Sequence, residues 1–253
     1  MFELPKGFGP GELPTDKTCL SYWFPILEAA GIPVPKTRIL RTELPLINLA
    51  DGEPLEGFMG FIDELGAITD EMGYPCFLRT GHGSGKHEWK HTCFLTSRDR
   101  LPFNVSRLIE WSCTVDLWGL PLKVWVVREM LPVRPIATLP VYGDMPLVRE
   151  IRAFIHGGKI IGWHPYWPPE PVTDGFAYGQ EPSAEASKAA EEVQKVDWAT
   201  ARPLALRCAE LFKDDEAFSV DLLETDRGWY VTDMALKARS FHWDEGMRED
   251  SNG

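Results

Sequence analysis

The stretch LRTGHGSGKHEWKHT, Leu78 to Thr92, follows the apolar run YPCFL with three glycines, an arginine, two lysines and three histidines. A phosphate cradle, a metal site and a plain polar loop all draw on such residues. A P-loop requires a glycine, four residues, then Gly-Lys and a hydroxyl side chain. Here Thr80 stands at the first glycine and His87 follows Lys86, so that pattern fails at both ends. Gly81, Gly83 and Gly85 give GxGxG, and a strand pattern follows instead of a helix, which excludes a dinucleotide fingerprint. His82, His87 and His91 are close together, yet a glycine-rich tip is a poor scaffold for the fixed geometry of zinc. The stretch suits a flexible hairpin folding over an anion. Its glycines let backbone N–H groups approach phosphate oxygens, and Arg79 with Lys86 brings positive charge from both arms.

Such a loop needs a body around it. The chain of 253 residues is long enough for one large domain or a fused pair of lobes. An apolar fraction of 44% with ten tryptophans excludes general disorder. The net charge of −12 argues against a generic nucleic-acid binder, which needs a basic surface. Cys19, Cys76, Cys93, Cys113 and Cys208 are scattered, odd in number and without a CxxC pair, as in a reducing compartment. The leading MFELPKGFGPGELP has no apolar h-region and no run approaches membrane-spanning length, so a cytoplasmic location is expected.

The elements read as mixed α+β. CLSYWFPILEAAG is a short amphipathic helix closed by Gly31, and IPVPKTRIL a proline-edged strand. GFIDELGAITDEMG is a helix ending at Gly73, and YPCFLRT is the strand from which the opening stretch leaves. KHTCFLTS is expected to return as the second strand of that hairpin. LKVWVVREML is a β-branched strand, and LVREIRAFIHGG with KIIGWHPYW forms a pair joined at Gly-Gly. Residues 168–187 read as a long surface loop, followed by helical sequence split at Pro203. FSVDLLETDRGWYVTDMAL is a final hairpin turning at TDRG. No βαβαβ alternation is present.

The final hairpin holds a pair of acids. With Asp226 and Arg227 in the turn, Asp221 faces the span Tyr230 to Thr232, within a residue or two of Asp233; a bulge would bring the acids closer. Carboxylates on neighbouring strands repel unless a cation lies between them, an arrangement found in magnesium sites with phosphate ligands.

Three blocks, FLRTGHGSGKHEWKHT, VVREMLPV…REIRAFI and SVDLLETDRGWYVTDMALKARS, resemble the ATP-grasp superfamily, and within it a divergent clade frequent in phages and bacteria. The resemblance implies an α+β ATP-grasp fold in which two lobes with antiparallel sheets sandwich ATP. It implies an arm over 1–18, a helix and strand lead-in over 19–70 and a small lobe with a glycine-rich lid over 71–128. A large lobe with the metal site then covers 129–243, and a flexible tail 244–253. Arg79 takes the place of the usual phosphate-contacting lysine, with Ser84 and Lys86 beside it on the lid. Glu129, Met130 and Leu131 match the strand whose backbone holds adenine. Arg152 matches the arginine that reaches the phosphates, with Glu150 next to it. Asp221 and Asp233 match the two metal-binding acids, while Ala235 departs from the family's asparagine. Lys237 and Ser240 extend the site.

The activity implied is an ATP- and Mg2+-dependent carboxylate–amine ligase acting through an acyl phosphate. Lys86 and Arg152 would serve as its catalytic cations, and small carboxylates, amines or peptides as substrates. A second expectation comes from a branch that serves as an assembly chaperone for a translation initiation factor: an ATP-binding module acting on a protein partner without ligation. A nucleotidyl transferase ranks last, because Lys213 in KDD does not supply a KxDG nucleophile. No membrane partner is expected, and nucleic acid is disfavoured by charge.

Overall fold

Short apolar segments with good end signals become the helices and strands of this chain. The computed structural model describes residues 16–115 and 119–250; most of the expected N-terminal arm, residues 1–15, lies outside them. In chain order the elements are α1 Leu20–Ala29, β1 Thr37–Arg41, α2 Phe58–Met72, β2 Cys76–Thr80, β3 Phe94–Leu95 and α3 Leu101–Thr114. Then come β4 Val124–Glu129, β5 Ala137–Leu139, β6 Met145–Leu147, β7 Glu150–His156 and β8 Lys159–Pro165. The chain continues with α4 Pro169–Phe176, α5 Ala184–Val193, α6 Trp198–Leu211, β9 Phe218–Thr225 and β10 Gly228–Leu236. Gly31 closes α1 at φ +63°, its N–H bonded to the Glu28 carbonyl. Glycine takes that left-handed position without a Cβ clash.

The chain divides into two compact units. The first comprises Met1–Val34, Pro132–Val141 and Pro146–Gly253, and the second Pro35–Leu131 and Tyr142–Met145. The segment 19–70 therefore divides: α1 belongs to the first unit, while β1 pairs with β4 in the second.

The second unit holds an antiparallel sheet in the order β1-β4-β2-β3. Helices α2 and α3 contribute Phe61, Leu65, Leu101, Val105 and Leu108 to a core shared with Leu78, Trp125 and Val127 of the sheet. Phe61 meets Trp125 edge-on at 5.4 Å. Full burial of each such side chain contributes about 1.5–3 kcal/mol, enough for this unit to hold a core of its own.

The first unit holds an antiparallel sheet in the order β10-β9-β7-β8. One face is apolar: Ile151, Ala153, Val220, Leu222 and Met234 are all buried. Helix α6 packs against this sheet and buries Ala201, Ala205 and Cys208. The alternate residues of the same strands form the other face, because side-chain direction reverses at each step.

Four expectations are corrected. The span 168–187 is not all loop: Pro168 and Pro169 open α4, where a missing N–H costs nothing, and the helix buries its own Val172. The helical break lies between α5 and α6, where the Asp197 side chain caps the Thr200 N–H at 3.2 Å, and Pro203 sits inside a continuous helix. The returning arm of the opening stretch is a strand only at β3, since Lys86–Glu88 coils into a 3-10 turn. The described part of the expected tail is fastened: Trp163 and Arg248 exchange two backbone hydrogen bonds at 3.0 and 2.8 Å. Arg202 also grips both carboxylate oxygens of Asp250 at 2.6 and 2.9 Å.

Candidate functional site

One polar row crosses the sheet of the first unit. Register pairs His164 of β8 with Arg152 of β7, Arg152 with Asp221 of β9, and Asp221 with Asp233 of β10. Directly opposed residues project from the same face, so all four share it. A β-bulge at Thr232 creates the acid pair: below it Val231 faces Leu222, and above it Asp233 faces Asp221. A second irregularity, at Phe154/Ile155, skips Ile161 and brings His164 opposite Arg152.

Asp221 is 6% exposed, and both of its oxygens accept from Arg152, Nε at 2.7 Å and Nη2 at 2.8 Å. Arg152 Nη1 also donates to the Phe241 carbonyl at 3.1 Å, and its guanidinium lies 4.7 Å from the Tyr166 ring centroid. Burial opposes the arginine's charge, but Asp221 outweighs it, with smaller help from Tyr166 and Asp233, and the pKa rises. Arg152 and Asp221 thus meet as a bidentate pair. Asp233 accepts the Met234 N–H on one oxygen. Ala235 follows on the same face, opposite Ser219, whose hydroxyl bonds that of Ser240 at 2.6 Å. Lys237 Nζ stands 5.7 Å from the Phe154 ring centroid, and Glu150 faces Leu223 one step along the same face.

The donor set of two carboxylates, without a third ligand at 235, suits one magnesium, which binds through one or two carboxylates plus phosphate oxygens and water. Among the described residues no group of three or more His, Cys, Asp or Glu is placed to hold a metal. The opening histidines separate: His87 stacks on Tyr142 at 4.5 Å and His91 meets Phe103 at 5.9 Å.

His164 is fully buried, and Nδ1 lies 2.7 Å from the Pro165 carbonyl. A carbonyl only accepts, so Nδ1 carries the proton and Nε2 is the bare, buried nitrogen without a partner. Burial lowers its pKa first, and the adjacent Arg152 lowers it further against the pull of the Pro165 carbonyl and Asp221. A depressed folded-state value means that the unfolded chain binds the proton first as pH falls. Stability is therefore complete above about pH 6.5 and declines below it by up to about 1.4 kcal/mol per pH unit until the folded pKa is reached. Thermal melts from pH 7.5 to 5 should show this decline, and His164→Gln should make it shallower while leaving the share of His87, whose pKa burial lowers to about 4; an unchanged slope would sink the assignment.

The glycine-rich stretch of the second unit is packed. Thr80 N–H donates to the Gly83 carbonyl at 2.9 Å, its hydroxyl exchanges bonds with Gly83, and the Thr92 hydroxyl donates to the Gly85 carbonyl at 2.7 Å. A Cβ on Gly83 would lie 2.5 Å from the Trp111 ring, and Gly85 holds φ +61°. The glycines fit a close approach of side chains to the turn. Gly83→Ala should cost about 1–3 kcal/mol by overpacking, relieved in part by Trp111→Leu. Denaturant melts of both check it, whereas a free lid would tolerate alanine without change.

Around this turn, Arg79 is 3% exposed and its Nε donates to the Thr80 carbonyl at 3.0 Å. Ser84 and Lys86 are half-buried, one on each side of Gly85. Glu129 ends β4, with its carboxylate accepting the Lys36 N–H at 2.7 Å; Met130 and Leu131 follow outside any helix or strand. Sequence reading missed the parts of His164 and Tyr166 around Arg152. The signal was present in WHPY, but assigning it required the register.

No protein-family model matches the chain, and no curated protein matches it by sequence. Comparison with solved structures establishes the class: the protein has an ATP-grasp fold. Two structures of Cdc123 from Schizosaccharomyces pombe, one C-terminally truncated, superpose with TM-scores of 0.56 and 0.53 at 12% and 14% identity. In both, the match covers 96% of this chain and 97% of the other. D-alanine–D-alanine ligase from Bacillus anthracis complexed with ATP matches with a TM-score of 0.47 and 16% identity, over 86% of this chain and 54% of the ligase. An ATP-grasp RimK domain protein from Sphaerobacter thermophilus DSM 20745 gives 0.46 and 16%, over 87% of this chain and 59% of that one. This chain thus spans little more than half the length of the latter two proteins. Among the described residues no helix is long and apolar enough to cross a membrane.

Proposed function

We propose that this protein binds ATP with Mg2+ and uses it to join a carboxylate to an amine through an acyl phosphate. The observation that carries this reading is the bulge-aligned row Arg152–Asp221–Asp233, which gathers one cation and two acids on one sheet face. In this reading Asp221 and Asp233 hold the metal, which supplies charge neutralisation at the transferring phosphoryl group. Arg152 exchanges its grip on Asp221 for the γ-phosphate and stabilises charge there as it develops. Arg79, Ser84 and Lys86 contact phosphates, Lys86 and Arg152 act as catalytic cations, and the backbone of Glu129 to Leu131 receives adenine. Glu150 and Lys237 contact substrate or phosphate at the margin. Substrates are small-molecule or peptide carboxylates and amines.

A second reading, an ATP-binding module that acts on a protein partner without ligation, is favoured by Ala235, which removes one metal donor from the row. ADP release with a panel of amino acids and peptides separates the two. Stimulation by any acceptor supports ligation; tight ATP binding without stimulated turnover supports the module. Absence of any ATP–magnesium binding overturns both.

A further inference from the structure

A polar cavity lies at the Thr225 end of the same sheet. It has a volume of about 290 Å³ and is lined by Arg134, Arg149, Glu224, Thr225 and Asp226, all in the first unit. Glu224 lies an odd number of steps from Asp221 along β9, and Arg149 an odd number from Arg152, so strand alternation turns both away from the acid row. These two side chains therefore face away from Arg152, Asp221 and Asp233.

Its central group is Arg149. The guanidinium stands 3.7 Å from Glu192 and 3.7 Å from Glu224, beyond hydrogen-bond reach. Its Nε is buried without a partner. A planar fork of five donors held among carboxylates that it does not touch is ready for a bidentate acceptor. Arg134 at the mouth is already satisfied by Asp226 at 2.5 Å. Glu224, partly exposed, has its only described ion pair in that long contact with Arg149.

The charges select the ligand. A phosphate or sulfate would sit on Arg149 but against Glu224 and Asp226, while a simple cation would meet Arg149. A molecule with a carboxylate and an ammonium a few ångströms apart satisfies both sides, replacing the long Arg149–Glu224 contact with two short ones. The volume lies at the lower end of ligand sites and suits one small molecule. We propose that this cavity binds a free α-amino acid or an equivalent small zwitterion, its carboxylate on Arg149 and its ammonium on Glu224. This site does not depend on the proposed ligase activity.

Calorimetric titration of the full chain with L-alanine, propionate, ethylamine and inorganic phosphate tests it. L-alanine should bind, with propionate and ethylamine each at least about tenfold weaker. Arg149→Gln and Glu224→Gln should each weaken L-alanine at least about tenfold, which separates loss of the site from misfolding of one variant. Titration of the same wild-type protein with ATP and Mg2+ tells the two readings apart, since L-alanine binding without ATP–magnesium binding is failure of the nucleotide reading alone. The proposal is overturned if L-alanine does not bind, if propionate or phosphate binds as well as L-alanine, or if both cavity variants bind normally.

Discussion

Asp233→Asn should lower magnesium-dependent ATP binding and turnover by on the order of a hundredfold or more, about 2.7 kcal/mol. The substitution keeps the side-chain volume and removes the charge. Asp233 faces Asp221 directly, so half of the acidic donor set disappears and the remaining carboxylate is already gripped by Arg152. Metal affinity can be read without turnover, by titrating Mn2+ against the protein with a non-hydrolysable ATP analogue and following the free-ion resonance. Wild-type protein should take up the ion with the analogue present, and the variant should not. Unchanged uptake and turnover in Asp233→Asn would remove the metal role from this pair.

Arg152→Met should destabilise the first unit by about 3–5 kcal/mol, because it leaves a buried carboxylate without its counter-ion. The side chains of Arg152 and Asp221 are only 12% and 8% exposed, so water cannot replace the lost hydrogen bonds. At about 2–4 °C per kcal/mol for a unit of this size, the melting temperature should fall by on the order of 10 °C. The double variant Arg152→Met with Asp221→Leu should recover much of the loss, since an apolar pair leaves no uncompensated charge. A shift below about 1 kcal/mol in the single variant would mean that the pair is solvated and that Asp221 does not need Arg152 in the folded protein.

Legibility differed sharply between elements and register. Local signals sufficed for α1 with Gly31 at its end, for the Gly157-Gly158 turn and for the Asp226–Arg227 turn, because each depends on residues within one or two turns of chain. The α+β class followed from the same signals. Less legible were α4, where four prolines in ten residues read as loop although two of them open the helix, and the Gly81–Gly85 stretch. Its glycines are compatible with freedom or with close packing, and sequence cannot show Trp111 lying across Gly83.

By itself, then, the sequence determined which residues carry charge and which strands bring them: Arg152, Asp221 and Asp233 on three strands with turns at known places. Whether the three meet was decided only by tertiary structure. An unbulged hairpin would place Thr232 opposite Asp221 and send Asp233 to the apolar face; one extra residue in β10 reverses that outcome. The reason is the two-residue period of a strand, in which a single inserted residue exchanges the faces of everything beyond it. Such an insertion is fixed by packing across the whole sheet, with Val231 and Met234 buried on one side of it and the polar row on the other.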